Sequence, residues 1–327
     1  MPLLCNDGPY IWDKSKFLEG IGSQFQRRKP SFIASHVLQA KWIGNLTNEH
    51  CSDEGDQSSY FGLSYTDCDQ NSLEIYEKQK KKLHFVYTTR EKNPFEYIST
   101  ITVAQTTVLV FNWDEVAEKC YKKPDNVVCY DESHNFAVFD SRFLKRFQEQ
   151  RSQRQTPKRL EGEYWVSIHF RWGDVKTKDS NRPDYRNGLG FSNYCLCVKH
   201  ILSMNPRGLK IFLFAENLQP PVLSCPSLKD KRVQFLAHSN SWKTDIDIMS
   251  QSQLLIGGGS SFFVLGAYLC ENCTVIHKCD IKFAKSEYEK ELPSRFDLVS
   301  CKGILSCYIK NIAKTLNSYN SKFSKGI

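Results

Sequence analysis

The sequence predicts an α/β protein of two domains, the second built on a parallel sheet, and three features carry that reading. At 327 residues the chain exceeds the ~250–300 residues at which a single hydrophobic core stops growing. Its second half alternates short, continuous apolar runs with segments of helical spacing, the pattern of a parallel sheet covered on both faces. Between the halves, Gln148 to Lys158 is polar and has no buried face, so it reads as an exposed helix end or a linker. The resulting division is 1–155 for an N-terminal α/β domain, 156–300 for a C-terminal Rossmann-like domain, and 301–327 for a closing helix and tail.

In the second half, Trp165 to Phe170, Lys210 to Ala215, Val233 to Ala237, Leu254 to Ile256 and Thr274 to His277 are strands in chain order. Phe191 to Met204, Ile246 to Ser250 and Phe262 to Cys270 are the helices between them. This is a doubly wound arrangement. In the first half, Leu83 to Tyr87 and Thr107 to Phe111 have strand character, and Ser31 to Trp42 has helical spacing. The tail from Gly303 to Tyr319 spaces Ile304, Leu305, Tyr308, Ile312 and Leu316 along one helical stripe, which suits a helix returning to the first domain.

Composition excludes some classes. A hydrophobic fraction of 40% is ample for globular packing, so disorder is not expected. The net charge of +8 is spread along the chain, and no zinc-finger spacing or RNA-binding aromatic signature accompanies it, so no nucleic-acid partner is expected. Thirteen cysteines and the acceptor triplets Asn45-Leu46-Thr47 and Asn272-Cys273-Thr274 lean towards the secretory pathway, the Golgi or endoplasmic reticulum lumen. Met1 to Tyr10 shows no signal-peptide pattern and no stretch has the ~20 apolar residues of a membrane span, which keeps a cytoplasmic setting open.

Chemistry concentrates where strands end. His169-Phe170-Arg171-Trp172-Gly173-Asp174 stands at the end of the first strand of the second half. Arg171 presents a planar fork suited to a diphosphate. Asp174 suits either Arg171, in a structural ion pair, or a substrate hydroxyl. Gly257-Gly258-Gly259-Ser260-Ser261-Phe262 joins a buried strand to a helix. Glycines permit close backbone approach, Ser260 or Ser261 can cap the helix, and the amides of a helix N-terminus make an anion site. The alternative is a tight turn with an ordinary cap. The segment lacks the Gly-Lys-Ser/Thr of a P-loop and the Gly-x-Gly-x-x-Gly of a dinucleotide site. Gly20-Ile21-Gly22-Ser23-Gln24, followed by Arg27 and Arg28, is either a second phosphate-approach loop or a plain turn. Asp67-Cys68-Asp69 and Asp245-Ile246-Asp247 have the form of a metal-binding Asp-x-Asp, but such tripeptides arise by chance, and no metal is expected. Asp245 or Asp247 suits a helix cap or a nucleotide hydroxyl instead. Cys270, Cys273 and Cys279 lack the second close pair of a zinc site and read as disulfide or buried thiols.

Taken together, these segments resemble the α-1,2-, α-1,6- and protein O-fucosyltransferase superfamily. Gly20 to Gln24 is similar to its N-terminal Gly-x-Gly-Asn-Gln loop, and His169 to Asp174 to its His-x-Arg-x-Gly-Asp motif. Ile211 to Asn217 resembles the strand that follows, and Asp247 to Phe262 its closing Asp, Met, Ser-Ser-Phe motif. Trp172, Ser23 and Gly257 to Gly259 depart from the pattern. The resemblance implies a GT-B-like fold, two Rossmann-like domains facing across a cleft, with the first on the acceptor side. It implies GDP-fucose as donor, a glycan or glycoprotein acceptor, inversion at the sugar and no metal. It implies that Arg171 grips the β-phosphate with His169 beside it. Gly20, Gly22, Gly259, Ser260, Ser261 and Phe262 would hold phosphate and nucleotide, Asp245 or Asp247 would read guanine or ribose, and Glu19 or Asp174 would serve as base. Two alternatives stand beside it: a transferase of the same fold using another nucleotide sugar, and a catalytically silent relative that binds glycan or nucleotide.

Overall fold

The structure, a computed structural model, describes residues 10–13, 20–22, 24, 28, 31, 41–44, 57–63, 84–87, 107–111, 142–170, 191–215, 225–237, 241–258, 260–270, 273–277, 296–301 and 305–324. The chain divides into two compact units, Met1–Arg154 and Gln155–Ile327.

The first unit is built on four parallel strands: β1 (Tyr10–Asp13), β2 (Lys41–Ile43), β3 (His84–Tyr87) and β4 (Thr107–Phe111), in the order β2-β1-β4-β3. Tyr10, Ile11 and Trp12 are fully buried. Asp13, also buried, ends β1 and pairs at 2.9 Å with the buried Arg28. Ser31 donates to the other Asp13 oxygen at 2.6 Å and accepts from the Trp42 indole at 2.9 Å. The helix expected over Ser31 to Trp42 is corrected at its end: Lys41–Ile43 is a strand beside β1, and 32–40 lie outside the described residues. Helical spacing up to Trp42 misleads because this short strand buries both Trp42 and Ile43. Helix α1 (Arg142–Ser152) lays Leu144 and Phe147 on a 3₁₀ turn at Ser58–Phe61, with the Tyr60 and Phe147 rings 5.7 Å apart. The polar stretch from Gln148 is thus the end of a helix, and the buried face lies just before it.

The second unit carries six parallel strands: β5 (Tyr164–His169), β6 (Leu209–Ala215), β7 (Val233–Ala237), β8 (Leu254–Gly257), β9 (Cys273–His277) and β10 (Phe296–Ser300). Their order is β10-β9-β8-β5-β6-β7. The chain starts mid-sheet, runs outward through β6 and β7, and returns to the other side of β5 as β8. This is the doubly wound 3-2-1-4-5-6 order, in which ligands bind where strand direction of travel reverses. That point is the gap between β5 and β8.

Both sheet faces are covered. On one, Tyr164, Val166 and Ile168 meet Tyr194, Val198 and Ile201 of α2 (Phe191–Met204) and Tyr308, Ile312 and Leu316 of α5 (Leu305–Ser324). On the other lie α3 (Trp242–Met249) and α4 (Ser261–Tyr268), which pack on each other at Gly266; a Cβ there would meet the Met249 sulfur at 2.9 Å. The apolar stripe of α5 is accommodated within the second unit, where the sequence pattern suggested a return to the first. Cys195–Cys225 and Cys301–Cys307 are disulfide-bonded. Cys197, Cys270 and Cys273 are buried thiols, and burial pushes Cys197 up to about 12. Among the described residues no helix is long and apolar enough to cross a membrane.

Candidate functional site

The gap between β5 and β8 is where two distant sequence motifs meet. Alternation along β5 points Trp165, Ser167 and His169 to the face opposite Tyr164, Val166 and Ile168. Ser167 is held by Ser252 at 2.7 Å, just before β8. At the strand end His169 is buried, with its ring 5.8 Å from that of Phe262 and 6.1 Å from that of Phe263. The two strands pair in register as far as Ile168 and Ile256. His169 and the start of α4 therefore lie together at the carboxyl edge of the sheet.

The Gly-rich turn has two different causes. Gly257 is required by packing: a Cβ there would stand 2.6 Å from the Phe263 ring. Ser260 stands at the N-cap position of α4, with extended φ and ψ of −69° and 130°, but its side chain makes no cap hydrogen bond. Ser260 is 1% exposed, and its buried hydroxyl has no hydrogen-bond partner among the described residues. A buried hydroxyl without a partner costs about 1–3 kcal/mol, unlike a capping serine, which gains stability. That is the arrangement expected of a group reserved for a ligand at a helix N-terminus. Ser261 and Phe262 are half-buried beside it.

Asp245 and Asp247 lie on α3, whose first turn follows β7 and so starts at the same edge of the sheet. The N-cap of this helix is Ser241, which accepts from the Lys243 amide, so neither carboxylate is the cap. Asp247 is fully buried. Asp245 is half-buried; its Oδ1 is shielded from water and has no hydrogen-bond partner among the described residues. Burial pushes its carboxyl up to about 7.

In the first unit, Gly20 accepts from the Gln24 amide at 3.1 Å, so Gly20 to Gln24 opens a helical turn, and Gly22 is buried. Arg28, which the sequence offered as part of a phosphate-approach loop, is engaged with Asp13. Arg171, Asp174, Glu19, Gly259, Asp67 and Asp69 lie outside the described residues. Among the described residues, no cluster of three His, Cys, Asp or Glu side chains is arranged to hold a metal. Sequence reasoning missed the role of Tyr308, whose hydroxyl donates to the Gly257 carbonyl at 3.0 Å; the signal was a phenol within an otherwise aliphatic stripe.

A cavity of about 380 Å³ lies at the opposite edge of the sheet, at the starts of β5 and β6. Two of its three lining cations are already paired: Lys210 with Glu163, and Arg232 with Asp230 and Asn205. It lies at the amino edge of the strands, away from the carboxyl edge where an open α/β sheet binds its ligand, and is not the candidate site.

No family model matches the chain, and no curated protein sequence matches it. Solved structures do. The E. coli heptosyltransferase WaaC with ADP is similar at 10% identity over 95% of this chain and 99% of that one, with a TM-score of 0.50. POFUT1 in complex with GDP is similar at 13% identity over 91% and 99%, with a TM-score of 0.44. NodZ α-1,6-fucosyltransferase soaked with GDP-fucose matches at 11% identity over 84% and 96%, with a TM-score of 0.40. The heptosyltransferase likeness shows the fold alone: two Rossmann-like units of the GT-B kind.

Proposed function

We propose that this protein is a metal-independent, inverting glycosyltransferase that moves fucose from GDP-fucose to a hydroxyl of a glycan or glycoprotein. The observation that carries the reading is that His169 at the end of β5 lies against Phe262 of α4, whose N-cap Ser260 keeps a buried hydroxyl without a partner among the described residues, at the point where a doubly wound sheet binds its ligand. In this reading the diphosphate lies over the β5–β8 gap. The α4 amides and the Ser260 hydroxyl take its oxygens, Arg171 grips the β-phosphate, and Asp245 accepts from the guanosine. Charge develops on the leaving phosphate oxygen as the glycosidic bond breaks, so donors fixed there lower the barrier. The acceptor hydroxyl attacks the anomeric carbon from the opposite face, and Glu19 or Asp174 receives its proton. The second reading within this fold replaces GDP-fucose by another nucleotide sugar.

The test is release of GDP from GDP-fucose in the presence of glycan and glycoprotein acceptors, compared between the wild type and Arg171→Ala. The expected result is a loss of about 10²–10³-fold in turnover with an unchanged melting temperature. Full activity in Arg171→Ala would end the proposal.

A further inference from the structure

We infer that Tyr308 is a positioning residue for the ligand loop, holding through its hydroxyl the backbone from which Ser260 and the α4 amides are presented. The inference rests on the nucleotide-sugar reading of that site and assigns it a control point in the C-terminal helix.

The register between β5 and β8 ends at Ile256. Gly257 is the first residue beyond it; the sheet now holds it on one side only, where it pairs with His277 of β9. Two side chains act on it as well. The Phe263 ring occupies the place of a Cβ on Gly257, and the Tyr308 hydroxyl bonds the Gly257 carbonyl at 3.0 Å. Ring and hydroxyl thus both bear on Gly257, three residues before Ser260.

Tyr308 is itself fixed. It is fully buried among Tyr194, Val198 and Ile312. Burial, together with neighbouring Tyr194 and Cys197, raises its hydroxyl well above the usual tyrosine range, so it remains a donor at every physiological pH. The preceding residue, Cys307, is tied to Cys301, and Asn311 one turn on donates to the Cys307 carbonyl at 2.8 Å. A phenol in a helical stripe of Ile and Leu needs a hydrogen-bond partner, and phenylalanine would satisfy the packing alone. Its partner is the one carbonyl that starts the ligand loop.

The test is Tyr308→Phe, which keeps the ring and removes only the hydroxyl. Two readouts are taken on the full chain: the dissociation constant for GDP, and amide hydrogen exchange of peptides covering 255–265 and, as a control, 209–215. The expected result is GDP binding weakened about tenfold, the size of one hydrogen bond, with faster exchange confined to 255–265. In a double cycle, Ser260→Ala should cost less binding in the Tyr308→Phe background than in the wild type, because both act through one loop. Equal GDP affinity, or exchange raised equally in both peptides, would overturn the inference and leave Tyr308 as a packing residue. If the wild type binds no GDP, the transferase reading falls, and the confinement of faster exchange to 255–265 decides the positioning claim by itself.

Discussion

Replacing Asp245 by Asn should change how stability depends on pH, and the structure gives the size. The carboxyl of Asp245 has one oxygen shielded from water without a hydrogen-bond partner among the described residues, and burial raises its pKa from 3.8 to about 7. Between pH 4 and 7 the folded protein therefore holds a proton that the unfolded chain has released. Stability falls with rising pH wherever the native state binds the extra proton. The burial cost is absent below pH 4, grows through that window and is complete above 7. A tenfold change in proton affinity is worth about 1.4 kcal/mol, so the full cost is about 4 kcal/mol, reduced to about 2–4 kcal/mol by solvent on the open side of the residue. Urea unfolding of the wild type and Asp245→Asn at half-unit steps from pH 4 to 8 measures it. The two proteins should be equally stable at pH 4, and the Asn variant about 2–4 kcal/mol more stable at pH 8. A stability difference constant across the range would refute the assignment. If Asp245 accepts from guanosine, GDP affinity should also rise through pH 7 in the wild type and stay flat in the variant.

Asp13→Asn leaves the buried Arg28 without its counter-charge and should destabilise the protein by about 3–5 kcal/mol in urea unfolding; a change below about 1 kcal/mol would mean the pair is not enclosed. Gly208 and Gly162 both have positive φ, at 69° and 80°, but only at Gly208 would a Cβ collide, 2.1 Å from the Gly162 carbonyl oxygen. Gly208→Ala should therefore lower the melting temperature clearly more than Gly162→Ala, which carries only the left-handed strain of about 1–2 kcal/mol; equal shifts would contradict the packing of these turns.

Much of the second unit was legible because a buried parallel strand is a continuous apolar run. Trp165-Val166-Ser167-Ile168, Ile211-Phe212-Leu213-Phe214 and Leu254-Leu255-Ile256 each read as strands and each lies within one. β1 and β10 were missed because Tyr10–Asp13 is four residues ending in a charge, and Phe296–Ser300 places Asp297 beside apolar neighbours. Lys41–Ile43 was absorbed into a helical pattern because three residues cannot display a period. At the site, glycines and a following apolar helix marked the turn at Gly257. What local spacing could not show was the strand order that puts β8 against β5, nor that Gly257 answers to Phe263 and Tyr308. Both depend on contacts between residues far apart in the chain. The same limit explains Ser260, whose position is that of a cap while its hydroxyl is left without a cap bond.

The central claim is a nucleotide-diphosphate site at the β5–β8 gap, and a thermal-shift series with GDP, UDP, CMP and ADP, each with and without EDTA, tests it most directly. A ligand at a hundred times its dissociation constant adds about 2.7 kcal/mol to the folded state, a rise of roughly 4 °C for a chain of this size. The account predicts that rise with GDP, unaffected by EDTA and lost in Arg171→Ala. A rise with UDP alone, a rise that EDTA abolishes, or no response to any of the four nucleotides would contradict it.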